Sequence, residues 1–395
     1  MTSPQGGNST PDVTSAPAGA RLNVFVLSHL FPPQDASSAA GIFVREQLEA
    51  LSAIADVTCM VPRPGLTARR ELPTLRPGLR VIEVPLPALA FLPGPLRVLA
   101  WIRPYRRQAL EAARTAPRAF DVLHAHFGLP DGAAGVSTAR RLALPSVVTL
   151  HGSDFNHQFS RPGIGHWFGR RITRANAVIA VSEAIASGMR GRYPDAASRV
   201  HHLSNGYNSA EITSQPRHAS QHFLFAGSLI PRKNPDVLIR AYARIVGETA
   251  LDLVIVGDGP LRPALETLAA DLRIADRVRF EGQRPHAALD AYLADAAALV
   301  LPSSSEGMPM VVNEALASGT PVVASRLPGI EQQVRSEAFG ILVPPGDETA
   351  LAGALLRAAA TNWDHATIAA TCGVHSWDDY AHDLVALYRS VITPR

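Results

Sequence analysis

The sequence contains little that would support a disulfide-bonded, zinc-binding or nucleic-acid-binding protein. Only 2 of its 395 residues are cysteine, and Cys59 and Cys372 do not form a CxxC pair, which excludes a disulfide framework and gives no zinc signature. The net charge is +3 and is carried by scattered arginines, which does not indicate a nucleic-acid partner. We therefore expect a protein of the reducing cytoplasm.

The chain also lacks recognisable targeting and membrane-spanning segments. Residues 1–20 are rich in Ser, Thr, Pro and Gly, without the basic start or apolar core of a signal peptide, so we expect a disordered tail. The most apolar later stretch, residues 81–102, is interrupted by prolines and by Arg97. It cannot supply the ~20 apolar residues that a membrane-spanning helix needs.

Phosphate-binding signatures of two large enzyme classes are absent. The first apolar strand, LNVFVLS, is followed by HLFPP and not by the GxGxxG of a nicotinamide dehydrogenase, and GDGPLR at 257–262 lacks that spacing. No GxxxxGK followed by Ser or Thr occurs, so a P-loop enzyme is disfavoured as well.

Apolar residues are abundant, and they alternate with helical segments. Hydrophobic residues make up 47% of the chain and charged residues 18%, with a mean hydropathy of +0.07. Runs such as LNVFVLS, SVVTLHG and LDLVIVGDG read as buried strands, and segments of helical periodicity separate them. This alternation predicts parallel sheets, and the length exceeds the ~300 residues at which single cores stop growing.

The pattern divides the chain into two α/β domains. We expect an N-terminal Rossmann-like domain at 21–207, a polar linker at 208–221 (NSAEITSQPRHASQ) and a C-terminal Rossmann-like domain at 222–375. Residues 376–395 are expected to form a helix that returns to the N-terminal domain. Two such domains place a cleft between the carboxyl ends of their sheets, where open α/β folds bind ligands.

The most specific motif is SSSEGMPMVVNEALASGTPVVAS at 303–325. It contains two acids, Glu306 in a predicted loop and Glu314 on a predicted helix that begins at Pro309. If the intervening segment were wholly helical, the two would lie about 12 Å apart. The free amides of Gly307, Met308 and Met310 and the positive helix end would form a seat for a diphosphate. The alternative is a surface helix with two solvated acids.

This segment resembles the EX7E signature of family 4 glycosyltransferases, a retaining family within the GT-B group. Other motifs agree in order: GSLIPRKNPDVLI (227–239), LVIVGDGPLR (253–262) and VRFEGQ (278–283), preceded by DVLHAHFGLPDG, VTLHGSDFN and SNGYN. The likeness spans residues 22–390. It implies an α/β GT-B fold, in which two doubly wound Rossmann-like domains face each other across a cleft.

The resemblance also implies an activity. It implies a retaining hexosyltransferase that uses a nucleotide diphosphate sugar and a glycan, lipid-linked or other small acceptor, in polysaccharide or glycoconjugate biosynthesis. HAHFGLPDG and HGSDFN resemble bacterial members that build cell-surface polysaccharides. No cofactor and no metal are expected, and the absence of a D-x-D triplet disfavours a metal-dependent GT-A transferase. The alternatives are a nucleotide-sugar 2-epimerase and a non-catalytic nucleotide-sugar-binding protein.

Carried over onto this sequence, the resemblance assigns roles to individual residues. Glu314 would bind the ribose hydroxyls, Glu306 and the amides after it the donor hexose and diphosphate, and Lys233 the diphosphate. Many family members have an arginine at the position of Ser228, and Arg232 either substitutes for it or points outward. The other donor-binding candidates are Gly41, Gly227, Gly257, Gly307, Met308, Pro309 and Met310.

Three histidines follow or end strands of the N-terminal domain. His151 matches the family's histidine near the donor sugar and acceptor, and we assign it to positioning, with proton handling as the alternative. His124 and His126 have a spacing that would suit a metal. No carboxylate or cysteine lies at ligand spacing, so core or loop histidines are favoured.

A basic stretch at 96–118 mixes Trp101 and Tyr105 with several arginines. It predicts either peripheral contact with an anionic membrane, where a lipid-linked acceptor would be presented, or an ordinary solvated face. We expect Pro104 to interrupt any continuous amphipathic helix there.

Overall fold

The structure is a computed structural model that describes residues 21–32, 41–152, 154–155, 164–207, 222–285 and 288–392. Each half of the chain forms a domain around one sheet, which confirms the predicted fold of two doubly wound α/β domains. The predicted tail (1–20) and the predicted linker (208–221) lie outside the described residues.

The N-terminal domain is built on one eight-stranded sheet. Its strands are β1 (Asn23–Leu27), β2 (Asp56–Pro64), β3 (Arg70–Glu71), β4 (Leu79–Leu86), β5 (Val122–His126), β6 (Ser146–Leu150), β7 (Ala177–Ala180) and β8 (Val200–His202). Its helices are α1 (Ile42–Ile54), α2 (Gly94–Arg114), α3 (Ala133–Leu142), α4 (Ile164–Ile172) and α5 (Glu183–Arg192). The strand order is β3-β4-β2-β1-β5-β6-β7-β8, and only β3 runs antiparallel to its neighbour.

The C-terminal domain is built on a six-stranded parallel sheet. Its strands are β9 (His222–Ala226), β10 (Asp252–Val256), β11 (Val278–Gly282), β12 (Ala296–Leu301), β13 (Val322–Ser325) and β14 (Gly340–Val343), in the order β11-β10-β9-β12-β13-β14. Its helices are α6 (Pro235–Ile245), α7 (Arg262–Asp271), α8 (Leu289–Ala294), α9 (Met310–Ala317), α10 (Pro328–Gln333), α11 (Glu348–Ala360) and α12 (His365–Thr371), and the last helix of the chain, α13 (Trp377–Ile392), follows them.

Strand β1 illustrates why these strands are continuous apolar runs. Phe25 and Leu27 belong to the core on one face of the sheet, and Val24 and Val26 to the core on the other. Successive side chains of a strand point to opposite faces. Because helices cover both faces of a parallel sheet, all five residues of β1 are buried.

Both sheets reverse their strand order beside their first strand. β1 lies between β2 and β5, and β9 lies between β10 and β12. Open α/β sheets bind ligands outside the carboxyl ends of their strands, next to such a switch point. His151 follows β6 and Glu306 follows β12 by a short loop, so both lie at these edges.

The last helix, α13, packs on the N-terminal domain and not on the domain that precedes it. Trp377, Tyr380 and Tyr388 are buried in the same core cluster as β1 and α1. The Trp377 indole donates to Glu46 Oε2 at 2.9 Å, and the Tyr388 hydroxyl lies 2.6 Å from Nδ1 of His124. These contacts tie the end of the chain to the first domain.

Helix α2 contradicts one prediction. It continues from Gly94 to Arg114 through Pro104, which was expected to interrupt it. A proline inside a helix removes one backbone hydrogen bond and clashes with the preceding turn. Here tertiary packing outweighs that cost, since Tyr105 and Ala109 are fully buried and Tyr105 donates to the Met60 carbonyl at 3.1 Å. No helix in the described part of the chain is long and apolar enough to cross a membrane.

Candidate active site

A cavity of about 280 Å³ lies between the two domains at the carboxyl edges of their sheets. The N-terminal domain contributes Leu30, Phe43, Phe127 and His151, and the C-terminal domain contributes Arg232 and residues 305–310. The structure therefore brings seven of the predicted site residues to one cavity. They are His151, Arg232, Glu306, Gly307, Met308, Pro309 and Met310.

Glu306 lines this cavity and forms ion pairs with two cations. Its carboxylate lies 2.7 Å from Lys233 Nζ and 3.0 Å from Arg232 Nη1, and only 7% of its side chain is exposed. Burial alone would raise the pKa of Glu306, but the charges of Lys233 and Arg232 outweigh it and lower that pKa. The site thus holds one buried carboxylate and two cations, with an excess of positive charge.

Arg232 points into the cavity and not outward. Its guanidinium also donates to the Ser305 carbonyl at 2.6 Å, which fixes it beside the segment that carries Glu306. Ser228, the position where many family members have an arginine, is exposed and does not line the cavity. Arg232 therefore lines the cavity, whereas Ser228 does not.

Gly227 and Gly257 directly follow two neighbouring strands, β9 and β10. A Cβ on Gly257, whose φ is 134°, would lie 2.0 Å from the Gly227 carbonyl oxygen, so the two strand ends approach at backbone contact. A Cβ on Gly227 would lie 3.8 Å from Lys233 Cε. Gly257 therefore permits the close approach of the two strand ends, whereas Gly227 is at ordinary contact distance from Lys233, and neither glycine lines the cavity.

Helix α9 begins at Met310, one residue after the predicted start, with Pro309 as the extended residue before it. Within the described part of the chain, the amides of Gly307 and Met308 donate no hydrogen bond. Such free amides at a positive helix end attract anions. Glu314 lies farther along α9, is only 4% exposed and does not line the cavity.

Neighbours on α9 and α10 fix the orientation of this helix. Asn313 donates to the Asn205 carbonyl at 3.1 Å, which joins α9 to the end of the N-terminal domain. Gln333 donates to Asn313 Oδ1 at 2.6 Å and to the Pro309 carbonyl at 3.0 Å. Sequence reasoning missed these amides because each pairs with a residue that is distant in the chain.

On the opposite wall, His151 is held by a second histidine and two aromatic rings. Its Nε2 lies 3.0 Å from Nδ1 of His126, and its ring centroid lies 4.7 Å from that of Phe43 and 4.6 Å from that of Phe127. Burial lowers the pKa of His126 to about 3 and the pKa of His151 well below its usual value. Both rings are neutral near pH 7.

His124 and His126 contact other protein side chains. His124 bonds the Tyr388 hydroxyl with Nδ1 and the Thr149 hydroxyl with Nε2, at 2.6 and 2.7 Å. No group of three or more His, Cys, Asp or Glu side chains among the described residues is arranged to hold a metal ion. Both histidines are fully buried in the N-terminal domain.

Two carboxylates near the cavity were missed from the sequence. Asp154, fully buried, accepts hydrogen bonds from the backbone amides of Gly128, His151 and Gly152 at 3.0–3.2 Å. It therefore fixes two loops of the N-terminal domain, and its place three residues after His151 was the signal available. Burial raises the pKa of Asp154, against the effect of these hydrogen bonds.

The second missed carboxylate is Asp131, which is buried and hydrogen-bonded to His29. Burial opposes protonation of His29, but the Asp131 charge outweighs it and raises the pKa of His29. His29 packs edge-on against Phe127, one of the residues that line the cavity. Sequence reasoning had no local signal for this pair, because its members are 102 positions apart.

Glycines permit close backbone contact both within the N-terminal domain and across the cleft. Gly41 has a φ of 83°, and a Cβ there would lie 2.6 Å from the Leu30 carbonyl oxygen, so it shapes the loop beside the cavity without lining it. A Cβ on Gly307 would lie 2.5 Å from the His151 carbonyl oxygen and 2.9 Å from the Gly152 Cα. The two domains therefore meet at this point of the cleft.

Comparisons with known proteins agree with this arrangement. A family model described as Glycosyltransferase Family 4 matches residues 40–211, and one described as Glycosyl transferases group 1 matches residues 220–361. The chain is 30% identical over 353 residues to the putative teichuronic acid biosynthesis glycosyltransferase TuaC of Bacillus subtilis, with 82% of this chain and 86% of that protein covered.

Solved structures share the fold at low sequence identity. Sucrose-phosphate synthase from Thermosynechococcus elongatus superposes with a TM-score of 0.73 at 22% identity, covering 94% of this chain and 99% of that one. HepE from Anabaena, solved in complex with UDP and glucose, gives a TM-score of 0.70 at 17% identity, covering 94% and 100%. The motifs, the two matching family models and the similarity to TuaC show that the chain belongs to the family 4 glycosyltransferases, and the solved structures show that it has the GT-B fold.

Proposed function

We propose that this glycosyltransferase transfers a hexose from a nucleotide diphosphate sugar to a glycan or lipid-linked acceptor, with retention of the anomeric configuration. The observation that carries the proposal is the cluster of Lys233, Arg232 and Glu306 at the free amides before α9. Two cations and a helix end, facing one buried carboxylate, suit a ligand with two phosphate charges.

The reaction follows from where charge develops. The bond between the anomeric carbon and the diphosphate oxygen breaks, and the acceptor hydroxyl oxygen forms the new bond to that carbon. Lys233 and Arg232 stabilise the negative charge that appears on the departing diphosphate. The acceptor proton passes to that phosphate, so no protein base has to remove it. Glu314 holds the ribose, and His151 positions the hexose.

Retention is supported by the chemistry of the cavity wall. Inversion in one step calls for a protein base beside the acceptor. Among the described residues that line the cavity, Glu306 is the single carboxylate, and it is ion-paired to two cations. His151 is a weak base because burial lowers its pKa. These residues therefore favour a mechanism in which the departing phosphate, and not a protein base, accepts the proton of the acceptor hydroxyl.

The nucleotide donor and sugar acceptor agree with related proteins. HepE from Anabaena, which shares the fold, was solved with UDP and glucose. TuaC is named for the biosynthesis of teichuronic acid. We place this chain in polysaccharide or glycoconjugate biosynthesis at the cytoplasmic face of the membrane, where the arginines of α2 contact anionic lipid and a lipid-linked acceptor is presented.

A panel of donors tests the proposal. Purified protein is incubated with UDP-, GDP-, ADP- and dTDP-sugars, and thermal unfolding and slow donor hydrolysis are recorded. One class of nucleotide sugar should protect the protein against thermal unfolding and should be slowly hydrolysed. NMR of the product should show that the transferred sugar keeps the anomeric configuration that it had in the donor. An unresponsive panel would favour a non-catalytic protein, and an inverted product would contradict retention.

A further inference from the structure

Helices α2, α3 and α4 form a basic face on the N-terminal domain. α2 packs against α3, and α3 packs against α4. A cavity of about 310 Å³ opens between α3 and α4, lined by Ser137 and four arginines. These arginines are Arg140, Arg141, Arg171 and Arg174. None of them stood out in the sequence, because they come from two separate segments.

Within the described part of the chain, none of these four arginines forms an ion pair with an acid. About half of the other described arginines do pair with Asp or Glu. Arg106 of α2 lies next to them and donates to Ser137 Oγ at 3.3 Å. Its pKa is lowered by burial and by the neighbouring charges of Arg141, Arg103 and Arg171.

Gathering like charges without acids destabilises the folded protein by repulsion. A bound anion would remove that repulsion. Arginine is suited to this role, because its planar guanidinium donates two parallel hydrogen bonds to phosphate oxygens. Arg141 lines this cavity and also the neighbouring one along α2, so the positive field extends across both.

An exposed aromatic side chain stacks against one of these arginines. Trp167 of α4 is 50% exposed, and the guanidinium of Arg171 lies 4.3 Å from the centre of its ring. The two other large apolar side chains that are exposed among the described residues, Leu96 and Phe91, lie at the start of α2 and just before it. Tryptophan beside arginine is typical of surfaces that rest at the level of lipid headgroups.

We propose that Arg140, Arg141, Arg171 and Arg174 form a second anion site, separate from the donor cleft, which binds the phosphate group of a phosphomonoester or diphosphate. The phosphate sits among the four guanidinium groups, with the Ser137 hydroxyl as a neutral donor beside it. An anionic phospholipid headgroup and a soluble phosphorylated compound both present this chemistry.

The test compares charge reversal in this site with a matched reversal elsewhere. Arg141→Glu with Arg171→Glu alters the site, and Arg279→Glu with Arg357→Glu makes the same change in net charge on exposed residues of the C-terminal domain. Each protein is sedimented with phosphatidylcholine vesicles that contain phosphatidic acid, and with phosphatidylcholine vesicles alone. Calorimetry with pyrophosphate, in the Lys233→Ala background that weakens the donor cleft, gives the soluble arm.

The site variant should bind its ligand about tenfold or more weakly, as expected for lost charged hydrogen bonds, while the control matches the parent. Loss confined to phosphatidic acid vesicles would identify the headgroup, and loss confined to pyrophosphate a soluble phosphate compound. Equal binding by site and control variants in both arms would overturn the proposal. If the glutamates prevent folding, Arg141→Gln with Arg171→Gln repeats the test. Neither readout uses sugar transfer, so the result is independent of the proposed function.

Discussion

His126 Nδ1 lies 3.0 Å from His151 Nε2, so the histidine that faces the cavity is held by a second histidine on the neighbouring strand. Burial lowers the pKa of both rings, so the pair is neutral near pH 7 and one ring donates to the other. His126 is thus a positioning residue for His151.

Substitution of His126 tests this role. His126→Leu removes the partner of His151, and we expect kcat to fall about fivefold, the ~1 kcal/mol of one neutral hydrogen bond. His126→Asn places an amide near the position of Nδ1 and should restore much of the loss. Initial rates with saturating donor measure both. Equal losses in the Leu and Asn variants would indicate a packing role instead.

The buried histidines also predict how stability depends on pH. The folded pKa of His126 is about 3, below its ordinary value near 6.5, so the unfolded chain binds a proton that the folded chain does not. The contribution of His126 to the free energy of unfolding is therefore fully present above pH 6.5, and it is lost as the pH falls from 6.5 towards 3. His29, whose pKa is raised, has the opposite trend.

Urea unfolding at pH 7 and pH 5 checks this. Between pH 6.5 and 5, one such histidine should remove about 2 kcal/mol of stability. The difference in unfolding free energy between the two pH values should therefore be smaller by about that amount in His126→Leu than in the parent. An unchanged difference would mean that His126 titrates normally in the folded protein.

The contact between Gly307 and His151 predicts a steric effect. A Cβ at Gly307 would lie 2.5 Å from the His151 carbonyl oxygen, so Gly307→Ala should push the two domains apart and misplace the amides before α9. We expect kcat/KM to fall tenfold or more, roughly the effect of a ~1 Å displacement in an active site. Gly353→Ala, where an added Cβ meets nothing within 4 Å, is the control. Equal activity of the two variants would contradict the close approach.

Metal independence is a further prediction. Lys233, Arg232 and the amides before α9 can neutralise a diphosphate without a cation. Transfer rates should therefore be unchanged by EDTA and by added magnesium or manganese. Activity that EDTA abolishes and either metal restores would show that these residues do not suffice.

Much of the C-terminal wall of the cavity could be predicted because it is local in sequence. Glu306, Gly307, Met308 and Pro309 belong to one loop and helix start, where spacing along the chain fixes the geometry. Lys233 lies in a second short motif, and only its pairing with Glu306 required the folded structure. The same locality explains why the alternating strands and helices were predictable.

The N-terminal side of the site was less predictable because it depends on contacts between distant segments. Asp131 meets His29 across 102 positions, and Tyr388 meets His124 across 264. No local pattern marks such pairs. The prediction that Pro104 interrupts helix α2 was wrong for a related reason. The cost of a proline inside a helix can be read from the sequence, whereas the burial of Tyr105 that offsets it cannot.

The division of labour across the cleft is the central claim, and calorimetry with UDP and GDP, paired with initial rates, tests it most directly. Glu314→Ala and Lys233→Ala should weaken binding of the preferred nucleotide diphosphate ten- to a hundredfold, since a lost charged partner costs about 1.5–3 kcal/mol. His151→Ala should keep that affinity within about threefold while turnover falls. Loss of the nucleotide in His151→Ala as severe as in Glu314→Ala would contradict the assignment of the two sides.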